Sequence, residues 1–109
     1  MSDRVRFQAA YYLITGVWPL VSMRTFEAVT GPKTDRWLVR MVGLLAASIG
    51  VSLLQAAKRT ELSGEARTLA ATSALAFATI DTVYSLRGRI SKIYLADAVV
   101  EALLLLRML

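Results

Sequence analysis

Glu101 stands inside residues 93–106, IYLADAVVEALLLL, a run that is otherwise almost wholly apolar. Asp97 lies one helical turn before it, Tyr94 three residues before that, and Asp81 in the preceding apolar run. A carboxyl in such a run binds and releases a proton, or holds a positive group, because a bare charge in hydrocarbon costs on the order of 2.5 to 10 kcal/mol. At 1.5 Å per helical residue, Glu101 comes ~13–14 Å in from Lys92, close to the middle of ~30 Å of hydrocarbon. Arg40 is the one basic residue inside an apolar run, and helical spacing brings it, Trp18 and Tyr84 towards the level of Asp81 and Asp97. Three carboxylates then face one cation, so at least one of them must take a proton or a positive ligand. Glu101, the deepest, is the first candidate. In a second reading the polar groups only pack helices: Arg40 bridges Asp81 and Asp97, and the tyrosines hydrogen-bond the acids. Both readings stay open at the level of sequence.

Other chemistry finds little support. The chain has no cysteine and no histidine, which removes thiolate and imidazole ligands and the commonest nucleophile–base pairs. Asp97 and Glu101 lie one turn apart in an apolar wall, with no sugar-binding aromatic groove, so a glycosidase pair is a poor fit. A metal held by carboxylates alone is a weak reading. No cofactor motif is present, and no enzyme is expected.

The elements that carry these residues follow from the hydropathy pattern. The chain of 109 residues is one domain, 1–109, 56% hydrophobic, with a mean hydropathy of +0.52. Its charges cluster between apolar stretches at 7–23, 37–57, 69–86 and 93–108. Each stretch is near the ~17–25 residues that cross a bilayer, the first and last needing their flanks. A soluble bundle would need a polar face, yet residues 42–54 offer only Ser48 and Ser52. The expectation is an all-α, four-helix transmembrane bundle, with helices at about 5–29, 35–58, 64–87 and 91–108. Short loops make neighbours antiparallel, and the first helix kinks at Trp18-Pro19. Gly43, Ala47 and Gly50 form a stripe of small residues that permits close helix approach. Ser63 and Ser91 suit helix N-caps.

The segment YLITGVWPLVSMRTFEAVTGPKTDRWLVRMVG, with its Trp-Pro and Thr-Gly-Pro-Lys-Thr-Asp elements, and IDTVYSLRGRISKIYLADAVVE towards the C-terminus resemble a family of small uncharacterised bacterial four-helix integral membrane proteins. The resemblance implies four membrane helices and carries no mechanism. The small multidrug-resistance transporters are similar only in size and in having an intramembrane Glu, which in that family lies in the first helix. The chain is +5 at pH 7, but its basic residues flank the apolar runs, where headgroups sit; nucleic acid is not an expected partner. Lys and Arg divide almost evenly between the two ends, so they choose no orientation. The expected setting is a bacterial inner membrane, as a homo-oligomer such as a dimer or within a larger complex. The expected function is binding or transport of a proton, cation or small ligand at the acids. The alternative is a non-catalytic accessory subunit.

Overall fold

A computed structural model describes residues 3–108, with side chains from residue 5 onward. The described chain is all-α and forms five helices: α1 (Asp3–Val21), α2 (Met23–Thr30), α3 (Arg36–Ala57), α4 (Gly64–Leu86) and α5 (Ile93–Met108). The expected first helix is therefore two. Pro19 does not end it: Ser22 N still donates to Trp18 O (2.8 Å), and the break comes at Ser22 itself. The Ser22 hydroxyl accepts from Thr25 N (3.3 Å), capping a new helix and offering the backbone an alternative to continuing the old one. α2 ends at Gly31, whose φ of 99° suits a residue without Cβ. Ser63 caps α4 by accepting from Ala66 N (3.1 Å).

A bundle of four membrane-spanning helices is not what forms. Among the described residues, only α3 and α4 are long and apolar enough to cross a membrane. α5 has 16 residues, or ~24 Å of rise against ~30 Å of hydrocarbon. α1 spends its first turns on Asp3, Arg4, Arg6 and Gln8.

Packing pairs the helices unevenly. α1 lies on α3, and α4 on α5, whereas α3 and α4 barely touch although they are adjacent in sequence. The first pair is a backbone contact. A Cβ on Gly16 would lie 2.5 Å from the Gly43 carbonyl oxygen, and one on Gly50 2.8 Å from that of Ala9. An open groove of about 410 Å³ remains between α3 and α4, lined by residues such as Leu45, Ile49, Ser73 and Phe77. The buried core, with Val5, Ala9, Tyr12, Leu53, Ala70, Ala74 and Leu104, sits where the two pairs meet.

Candidate carboxylate site

Periodicity on α1 brings Gln8 and Tyr12 to one face, one turn apart, with Tyr11 beside them. The two tyrosines point at the acids of the other pair, and Gln8 stands behind Tyr12. The Tyr12 hydroxyl donates to Glu101 Oε1 (2.6 Å), and the Tyr11 hydroxyl donates to Asp97 Oδ1. Gln8 Nε2 donates to the Tyr12 hydroxyl (3.1 Å) and to Ala70 O (2.9 Å). The Tyr12 ring is held edge-on by Phe77 at 5.3 Å, and the Tyr11 ring stacks on Phe7 at 6.0 Å. Packing thus fixes both hydroxyls.

Asp97 is the centre of the acids. The carboxyls of Asp81, from α4, and of Glu101, one turn along α5, each lie within reach of it. Asp81 is 5% exposed and Glu101 2%. Two buried oxygens have no hydrogen-bond partner among the described residues: Asp81 Oδ2 and Gln8 Oε1. No salt bridge to a described residue reaches the three acids. The arrangement therefore holds three carboxyls, two hydroxyl donors and two vacant acceptors, which is a setting for a proton or a positively charged group. Among the described residues no three of His, Cys, Asp and Glu are set to hold a metal ion.

The structure brings together Asp81, Asp97 and Glu101 but not the rest of the expected set. Arg40 is a correction. It is exposed and makes no salt bridge to a described residue. Gly43, three residues on, is pressed against the α1 backbone, while the Arg40 residue stays exposed. Trp18 belongs to the α1–α2 joint, donating to Thr25 Oγ1 (2.9 Å) and meeting Phe26 edge-on at 5.3 Å. Tyr84 is 37% exposed, beside the Arg87 guanidinium. Tyr94 lies under the Lys33 ammonium at 4.8 Å. The donors that sequence reasoning missed are Gln8, Tyr11 and Tyr12. Their signal is the polar pair at 8 and 12, an i, i+4 spacing, inside the first apolar run.

No family model matches the chain, and neither does any curated protein or solved structure.

Proposed function

We propose that this is an integral protein of a bacterial plasma membrane that binds and releases a proton, in exchange for the positive group of a small organic ligand, at Asp81, Asp97 and Glu101. It acts as a binding or transport protein rather than an enzyme. The observation that carries the reading is that Asp81 and Glu101 are buried beside half-buried Asp97, with no salt bridge to a described residue and with Asp81 Oδ2 unpartnered among the described residues. A lone buried carboxylate oxygen is costly, and a proton or an ammonium or guanidinium group would relieve it.

The membrane setting is supported by where the apolar surface lies. In the most apolar windows of α3 and α4 only 22% and 28% of residues are buried, the opposite of a soluble core helix. Leu44, Leu45, Val51 and Leu75 are all more than half exposed. The longest dimension is 42 Å, close to the ~40–45 Å of a bilayer with its headgroups.

The test is proton release. Pulses of methylammonium or guanidinium chloride into a weakly buffered detergent solution should release protons from the parent. Choline chloride, as an ionic-strength control, should not, and Glu101→Gln and Asp81→Asn should lose the response. A parent that releases nothing would sink the reading. The two tyrosine–carboxyl bonds between α1 and α5 favour a second reading, a helix-packing network in an accessory subunit. That reading gains if Glu101→Gln changes neither proton release nor ligand response while an unrelated membrane protein copurifies in fixed ratio.

A further inference from the structure

At the end of the molecule away from Gln8, the loop after α2 and the loop after α4 face each other across an open cleft of about 720 Å³. Gly31 and Gly88, both at positive φ, turn the two loops there, and Gly31 approaches Ser91 closely enough that an added Cβ would touch it at 3.6 Å. Lys33, Thr34, Arg89 and Ser91 line the cleft. We propose that this cleft binds a phosphate group, with Lys33 and Arg89 as its charged ligands and the Thr34 and Ser91 hydroxyls as donors.

Lys33 is already positioned for this role. Its ammonium donates to Thr30 O (3.2 Å) and rests over the rings of Tyr94 (4.8 Å) and Phe26 (5.9 Å). These contacts hold the ammonium itself in place; only one of them is a hydrogen bond, and an ammonium has three N–H donors, so two are uncommitted to a hydrogen bond. Arg89 brings a planar fork that fits two phosphate oxygens at once. The surroundings carry the same sign. Arg24, Arg36, Arg40, Arg87 and Lys92 lie at this end too, against Glu27 and Asp35, and Glu27 is taken up by Arg36 at 2.5 Å. Asp35, the one acid on the lining, is exposed, and its side chain makes no capping bond to α3. The positive ends of α3 and α5 begin at the rim and add to the potential.

A phosphate here could be free or could be the headgroup of a phospholipid. Leu38 lines the cleft and Trp37, 62% exposed, follows the same loop, so an acyl chain has apolar surface to follow along α3. The site is independent of the carboxylate trio and does not need it to be functional.

The experiment measures the melting temperature and binding of the full chain in a neutral detergent. The probes are phosphatidylglycerol, phosphatidylcholine and inorganic phosphate. Phosphatidylglycerol should bind and raise Tm. Arg89→Gln and Lys33→Gln should each weaken that binding about tenfold or more, the effect of losing one charge-assisted contact. Arg59→Gln, at the opposite end, should bind like the parent. Arg89 is exposed, so its variant keeps the fold even if Lys33→Gln loosens the Tyr94 contact. Displacement of the lipid by inorganic phosphate, or stabilisation by inorganic phosphate alone, assigns a free anion as the occupant. Phosphatidylglycerol binding that inorganic phosphate does not displace assigns the lipid. No response to either probe, or equal loss in Arg59→Gln and Arg89→Gln, overturns the proposal.

Discussion

The Tyr12 hydroxyl is shared by two buried neighbours: it donates to Glu101 Oε1 and accepts from Gln8 Nε2. Tyr12→Phe keeps the ring on Phe77 and removes only that oxygen. Glu101 is then left without its donor in a dry setting, which should cost about 1–3 kcal/mol in chemical unfolding followed in detergent. A parent-like midpoint would mean that water already serves Glu101. Arg40 gives the contrasting case. Being exposed and free of a salt bridge to any described residue, it should tolerate Arg40→Ala within about 0.5 kcal/mol. A loss of 3–5 kcal/mol, the signature of a broken buried pair, would show that it reaches the acids after all.

Helix contacts make sharper demands than helix propensities. Gly50 is pressed on the α1 backbone, where nothing flexible can yield, so Gly50→Ala should destabilise by about 1–3 kcal/mol despite alanine's better propensity. Gly64, at the start of α4, has open space around it, and Gly64→Ala should be neutral or gain up to about 1 kcal/mol. Thermal melts of the two variants side by side decide the point; equal shifts would contradict the close α1–α3 approach. α2 is tied to α3 by Arg36, which donates to both Glu27 carboxylate oxygens at 2.5 and 3.3 Å. The Arg36 guanidinium holds the Glu27 carboxyl below its ordinary value of 4.5. A depressed carboxyl contributes fully above its unfolded value, and the contribution fades as pH falls through the lower folded value. The protection of α2 amides, measured relative to their intrinsic exchange rates at each pH, should therefore fall below about pH 4, the ordinary carboxyl range. In Glu27→Gln that protection should be flat across the same window.

As a whole, the molecule is two helix pairs joined mainly by polar bonds from α1 and by the small core around Tyr12. Its outer apolar surface is densest on α3 and continues over α1, α4 and α5. The chain has no native cysteine, so single cysteines report on their surroundings without interference. In liposomes, Leu45→Cys and Leu75→Cys should react with a lipid-soluble maleimide and resist a charged one. Arg59→Cys and Arg89→Cys should react with the charged reagent once both membrane faces are reached. Rapid charged labelling at Leu45 would remove the bilayer from the picture.

Composition and periodicity determine by themselves that the chain is all-α and where several helices start. Ser63 and Gly31 act locally, through one hydroxyl acceptor and one positive φ, so their neighbours in sequence are enough to read them. The acids at 81, 97 and 101 are legible for the same reason: a carboxyl in an apolar run needs a partner wherever it packs. What no local rule can decide is which partner. Charge balance favoured Arg40, but it lies exposed with no salt bridge to a described residue, and uncharged Tyr11 and Tyr12 answer the acids instead. The break at Ser22 rather than Pro19 was a close local competition between a missing N–H and an available cap, and the cap decided it. The pairing of α1 with α3 and α4 with α5, which leaves α3 and α4 apart, also lies beyond the sequence pattern. Apolar stripes show that helices will pack, whereas only the fit of small residues against a particular backbone selects the neighbour.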